Sequence, residues 1–328
     1  MRLWMVETAR LDDAGAEWEE LHRRAKGIVF TSGDWLRTLA DMYGREAYCV
    51  LVGDGEMIRA GIPLLLKRKG MLRYSGALPM SLYSGLLHTL APEDYPGACE
   101  ALLSESEQLC HFASLSLPHD NALISILASR EWDVQHRLSL RLDLSNPERL
   151  WNGYSQSLRR KIRRASEVPL TIRDDAPVDL LIDLYEKSYL RHGILPPTPP
   201  QQMRGWLSRL RQQGLLHCFA AYRADGVPAA ARALIRDGDM VYDWLAGADP
   251  VVAPSGSHSL LHTILLRYSA EGAKTFDFMG ANTPGVVEFK RSFGPYEHPY
   301  VEAYWYRTPL VKTLLRIQSA RLLRGRRL

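Results

Sequence analysis

The chain has 328 residues, 46% apolar and 24% charged, the make-up of an ordinary globular protein of one large or two average domains. Its formal net charge is +4, but residues 1–150 carry 16 Lys/Arg against 21 Asp/Glu, while residues 151–328 carry 25 against 16, so the second half is the side expected to meet an anionic partner. No apolar run approaches the roughly 18 residues of a membrane span, the opening MRLWMVETARLDDAG lacks the apolar core of a secretion signal, and four scattered cysteines without a CxxC read as reduced thiols of a cytoplasmic protein.

In chain order, apolar periodicity predicts helices over 14–26 and 34–43. EAYCVLV, GDGE and MIRAGIPLLLKR then form a β-hairpin signal, because Asp-Gly between apolar runs supplies the turn. A helix over 92–110 leads into the alternating FASLSL. The second half repeats this order. Helices over 178–191 and 201–213 precede LLHCFAAYR, ADG, VPAAARALIR, DGD and MVYDWLAG, and a helix over 257–272 leads into TFDFM. Between the paired helices, LPPTPPQ (195–201) is a stiff loop whose prolines disfavour helix. The expectation is an α+β protein of two tandem units with mixed sheets flanked by helices, divided into 1–146 and 147–328.

The second unit opens on SQSLRRKIRRASE. Leu158, Ile162 and Ala165 form a narrow apolar stripe, and Arg159, Arg160, Lys161, Arg163 and Arg164 cover the rest. Five cations in six positions exceed what solubility needs, which points Arg159 and Arg163 toward an anionic ligand. The last 21 residues, TPLVKTLLRIQSARLLRGRRL, read as a basic amphipathic helix that either packs on the body or makes peripheral contact with an anionic membrane.

FDFMGANTPGVVEFKRSFG (276–294) holds the most informative pattern. Phe276 and Phe278 alternate with Asp277 and Met279 as in a strand. Thr283-Pro284 then resembles a helix start, and Val286, Phe289 and Phe293 share a face that includes Lys290. An amine among apolar side chains is costly unless it is paired or faces a cleft. Periodicity leaves two readings: a snorkelling lysine, or a cation aimed at a ligand beyond the strand end.

Together SQSLRRKIRRA, YDWLAGADP, FDFMG and FKRSFG resemble the FemABX-like (FemAB-type) acyltransferases, which are tandem GNAT-fold proteins. GDWLRTLADMYG and GIPLLLKR are similar to the family's first-domain pattern. The resemblance implies acyl transfer to an amine, from acyl-CoA such as acetyl-CoA or from aminoacyl-tRNA. It maps the family's FK lysine, which steadies developing charge, onto Lys290. In SLYSG, Leu82 stands where relatives often carry an acid, and Tyr83 is the neighbouring candidate for substrate contact.

Acyl transfer needs a base for the amine, alignment, oxyanion donors and a group near the leaving atom. On that basis Lys290, Asp277 and Tyr242 are the catalytic candidates, with Asp277 either a base or the partner that holds Lys290. Trp244, Asn282 and Phe289 are candidate contacts, although Trp244 fits the core equally well. The resemblance implies that the loop and helix start at 255–257 bind the donor pyrophosphate, a role that Ser255, Gly256 and Ser257 suit, with an ordinary capped helix as the competing reading. His258 and His262 stand four apart but lack the glutamate of a zinc protease, so no metal is expected and both read as ordinary helical histidines. The leading expectation is an N-acyltransferase acting on an envelope, exopolysaccharide or small-metabolite amine. The alternatives are an aminoacyl-tRNA-dependent transferase and a catalytically inactive GNAT pair that binds RNA.

Overall fold

The computed structural model describes residues 3–167, 170–252, 254–280 and 284–325. Its Cα packing separates two compact units: Met1–Arg137 with Pro299–Ser319, and Leu138–His298 with Ala320–Leu328.

The chain begins with β1 (Met5–Arg10), α1 (Gly15–Arg24) and α2 (Gly33–Tyr43), followed by β2 (Glu46–Gly53), β3 (Ile58–Lys69), β4 (Leu72–Ser75) and β5 (Leu87–His88). Next come α3 (Tyr95–Leu109), β6 (Phe112–Pro118), α4 (Asn121–Ser129) and β7 (Asp133–Asp143). Helices α5 (Pro147–Gly153) and α6 (Gln156–Glu167), β8 (Thr171–Arg173), and helices α7 (Val178–Leu190) and α8 (Pro200–Gln212) follow. The remainder is β9 (Leu216–Tyr222), β10 (Pro228–Asp237), β11 (Met240–Ala248), α9 (Gly256–Ala270), β12 (Thr275–Asp277), α10 (Pro284–Arg291), β13 (Tyr296–Tyr306) and α11 (Pro309–Gly325).

In the first unit the strands run in the order β1-β2-β3-β4-β6-β13, with β5 also on β3. Local chemistry fixes the pieces. Ser32 accepts from Trp35 N to start α2, and Gly44 at φ 55° ends it in the left-handed region that glycine tolerates. Val50, Ile62, Leu102 and Leu115 belong to one buried cluster that joins the sheet to α3 and α4. The last strand, β13, runs antiparallel to β6, from Tyr300 opposite Pro118 to Tyr306 opposite Phe112.

The second unit has the order β7-β12-β11-β10-β9-β8. All neighbours are antiparallel except β11 and β12. Helix α9 packs on one face, where Leu234, Val241, Phe276 and Phe278 share its apolar cluster with Leu260 and Ile264. Helices α7 and α8 cover the other face: Trp206 meets Trp244 edge-on, with ring centroids 4.6 Å apart. A side chain at Gly247 would overlap the backbone of Leu184 and Tyr185, so glycine lets α7 lie directly on β11.

Two sequence expectations shift. Pro200 does not belong to the stiff loop but opens α8, because a proline at the first helical position gives up no needed N–H. The apolar arc of 286–293 is also not one helical face. Helix α10 ends at Arg291, leaving Phe293 beyond it, and Val286 is 46% exposed while Val287 packs on the core. Thr283, expected as the cap, lies outside the described residues.

Candidate active site

The second unit contains a wedge in its sheet. Strands β11 and β12 pair in parallel only from Met240–Tyr242 to Thr275–Asp277. Beyond that point β12 stops, while β11 continues to Ala248 on its other partner, β10. The register places Leu234 opposite Asp243 and Ala233 opposite Leu245, so Trp244 is the extra residue of a β-bulge. A bulge bends its strand and re-aims side chains, and bulges concentrate beside active sites. From Asp243 onward β11 therefore has no β12 ladder on one edge among the described residues, and an unladdered edge offers backbone groups to an extended ligand.

Lys290 closes the narrow end of the wedge. Its ammonium donates to the carbonyl of Phe278 at 2.7 Å and to that of Gly280 at 2.7 Å. Both carbonyls lie just past β12, in a turn where Met279 has φ 57° and Gly280 φ 88°. A left-handed methionine is uncommon and needs surrounding support. Asp277 supplies it. This fully buried carboxylate accepts from Met279 N at 2.8 Å, Ser139 Oγ at 2.6 Å and Arg141 Nε at 2.7 Å, and Ser139 Oγ accepts in turn from Gly280 N at 2.9 Å. Asp277 thus shapes the loop whose carbonyls hold Lys290, and its own ion pair is with Arg141. An ammonium has three N–H groups, and the third of Lys290 has no partner among the described residues. Burial lowers the lysine's pKa from its usual value, while Asp243 and Asp277 oppose the shift and Arg232 adds to it.

Beside Lys290 lies a buried ion pair. Arg232 Nη1 donates to both carboxylate oxygens of Asp243, at 2.6 and 2.5 Å, and both side chains are 4% exposed. The guanidinium also donates to Ser257 Oγ at 3.3 Å, and its carbon sits 5.3 Å from the Phe289 ring centroid. Its Nε has no hydrogen-bond partner among the described residues. His258, one residue into α9 from Ser257, lies against the same ring at 4.9 Å, and its Nδ1 also lacks a partner there. Burial, with Lys161 and Arg232 adding to it, pushes this imidazole down to about 4, so it is neutral at physiological pH.

These elements bring together Lys290, Phe289 and Ser257 from the sequence candidates and add Arg232, Asp243 and His258. The missed signal was an arginine inside PAAARALI, an otherwise small and apolar strand. Ser255 and Gly256 form the α9 start, where the Ser255 carbonyl accepts from His258 N and Ser259 N. Tyr242 pairs in register with Asp277 and faces away from Asp243, toward the α7–α8 side. It is buried, and burial, then Asp237 and Asp277, push its phenol pKa up. Trp244 packs on Trp206, as the core alternative expected.

Along α6, Leu158 is buried and Ile162 packs on the core, as their spacing predicts. Arg159 is half-buried, and Arg163 lies 5.7 Å from the Trp151 ring centroid. Tyr83 belongs to the first unit. Its ring meets Tyr300 edge-on at 5.4 Å, and its N–H donates to Ser116 Oγ. Asn282 lies outside the described residues. The thiols of Cys49, Cys99, Cys110 and Cys218 are buried, and burial pushes them up to about 12, 12, 12 and 11, which makes them poor nucleophiles. Among the described residues no group of three His, Cys, Asp or Glu is placed to hold a metal.

Residues 153–291, which contain the wedge, match the family model described as an acetyltransferase (GNAT) domain. Among solved structures the chain is similar to FemX, with TM-score 0.71 and 13% identity over 94% of this chain and 99% of that one. It is similar to L-PGS from Bacillus licheniformis, with TM-score 0.59 and 11% identity over 95% and 97%. It is also similar to a tandem GNAT protein from the clavulanic acid biosynthesis pathway, with TM-score 0.54 and 13% identity over 93% and 99%. No curated protein matches the sequence. At these identities the likeness is one of fold: the chain has the tandem GNAT fold of the FemABX-like acyltransferases.

Proposed function

We propose that the protein is an N-acyltransferase whose donor, acyl-CoA such as acetyl-CoA, lies in the wedge of the second unit. The observation that carries this reading is the Lys290 ammonium held just past β12, where β11 and β12 part, with one N–H that has no partner among the described residues. The extended arm of the donor lies along the edge of β11 beyond Asp243, past the last rung of the β12 ladder among the described residues. Its pyrophosphate sits at the α9 start, where Ser255, Gly256 and Ser257 present backbone N–H groups next to Arg232. The acceptor amine attacks the acyl carbonyl carbon. Lys290 stabilises the oxyanion that forms, and collapse expels the CoA thiolate, which takes up the proton shed by the nitrogen. The acceptor is an amino group of a cell-envelope, exopolysaccharide or small-metabolite compound. The test is release of free thiol from acetyl-CoA in the presence of such amines. Lys290→Ala should lose that release while remaining folded; full release in the variant overturns the assignment.

One observation favours a second donor. Helix α6 carries Arg159, Arg160, Lys161 and Arg164 with no ion-pair partner among the described residues. Such a stripe suits a polynucleotide phosphate backbone, which supports aminoacyl-tRNA as the donor. Ribonuclease treatment separates the two readings, because only tRNA-dependent transfer is lost.

A further inference from the structure

Two elements of the first unit meet at one end of its sheet. The β3–β4 hairpin turns through Gly70, at φ 59°, and Met71, with Lys69 opposite Leu72 as its last rung. Lys67, Arg68 and Lys69 are exposed, and Met71 is 96% exposed. Next to this tip, the Arg73 carbonyl accepts from His111 N at 2.7 Å, and the His111 carbonyl accepts from Arg307 N at 3.0 Å. Arg307 lies two residues before α11. The hairpin and the start of that helix therefore stand about two strand spacings apart, roughly 10 Å.

Helix α11 divides its apolar residues between two faces. Val311 is buried and Leu315 half-buried. Leu310, Leu314 and Ile317, at i, i+4 and i+7, are 67%, 48% and 47% exposed. The body thus takes one edge of the helix and leaves another, beside the exposed Arg316, in water. Lys312 is engaged with Asp133 at 2.6 Å and lies 5.4 Å from the Tyr306 ring centroid. The sequence continues with Arg321, Arg324, Arg326 and Arg327, and 308–328 contains no acid.

We propose that this end of the first unit docks on an anionic phospholipid bilayer. Met71, Leu310, Leu314 and Ile317 enter the headgroup boundary, while Lys67, Arg68, Lys69, Arg73 and Arg316 meet lipid phosphates. Charge selects this occupant. A second copy of the same face would set cation against cation, and a polynucleotide would use the charges but gain nothing from exposed methionine and leucine. Among the described residues no helix is long and apolar enough to cross a membrane, so the contact is peripheral. The inference does not depend on the proposed chemistry, whose residues lie in the second unit.

The test is co-sedimentation of the full chain with vesicles of phosphatidylcholine and phosphatidylglycerol, two to one, against pure phosphatidylcholine, over a salt series. Wild type should bind the mixed vesicles only, and less at high salt. Met71→Ser and Leu314→Ser should each weaken binding roughly tenfold with charge unchanged. Lys67→Ser and Lys69→Ser should each weaken it about fivefold. Absence of vesicle binding by wild type overturns the proposal. So does unchanged vesicle binding in Met71→Ser/Leu314→Ser, or a dimer, seen by light scattering, that the same double variant abolishes. Polynucleotide binding insensitive to those two substitutions, with no vesicle binding, assigns the face to RNA and also overturns it.

Discussion

The Lys290 ammonium and the Gly280 carbonyl oxygen are 2.7 Å apart, across a turn whose preceding residue, Met279, has a left-handed backbone. The contact ties helix α10 to the turn that ends β12. The lysine holds the loop, and under the proposed function it also offers positive charge to the transferred acyl group.

Lys290→Met keeps the packed stem but removes the charge, and transfer should fall about 10²- to 10³-fold in kcat, the usual loss for one oxyanion donor. The melting transition should fall modestly: the Phe278 and Gly280 carbonyls lose their donor, offset in part because a half-buried cation that was costly to desolvate has gone. Steady-state kinetics with circular-dichroism melting checks both halves of this expectation.

The Arg232–Asp243 pair is buried at both ends. Arg232→Met should destabilise the protein by about 3–5 kcal/mol, since it strands the Asp243 carboxylate. Arg232→Met/Asp243→Leu should recover most of that loss, because no charge is left uncompensated. Denaturant unfolding of the two variants measures the difference; equal losses would show that the pair's mutual compensation is not what matters there.

His258 gives a signed pH dependence. Its folded value is near 4, against about 6.5 for an unperturbed imidazole. The neutral ring contributes stability that is fully present above about pH 6.5 and is lost as pH falls through that value toward 4. Allowing for its partial exposure, the loss is about 2 kcal/mol. His258→Phe should lack this component, so melting temperatures of wild type and variant should diverge as pH drops from 7 to 4.

Gly247 is where α7 touches β11 backbone to backbone. Gly247→Ala should cost about 2 kcal/mol or more, because neither a helix backbone nor a paired strand can yield. The measurement is the melting temperature, which should fall by several degrees.

Much of this architecture was written locally. The hairpin β2–β3 announces itself through Asp54-Gly55, and most of the helices read from periodicity end within two or three residues of their structural bounds because caps and glycines mark them. Lys290 stood out as an amine among phenylalanines. Arg232 did not, because its meaning depends on Asp243, eleven residues away in sequence and aligned with it by the register of β10 and β11 across a bulge. The pairing of β13 with β6 joins residues more than 180 apart, and no local pattern encodes it. The arc of 286–293 misled because periodicity cannot show that a helix stops at Arg291.

The central claim is that the wedge between β11 and β12 receives the acyl donor. Hydrogen–deuterium exchange of the full chain, with and without acetyl-CoA and aminoacyl-tRNA, tests it directly. Amides of Asp243–Ala248 and of the α9 start should gain protection with one of these donors, and Lys290→Ala should weaken the effect. Protection confined to the first unit, or none with either donor, would contradict it.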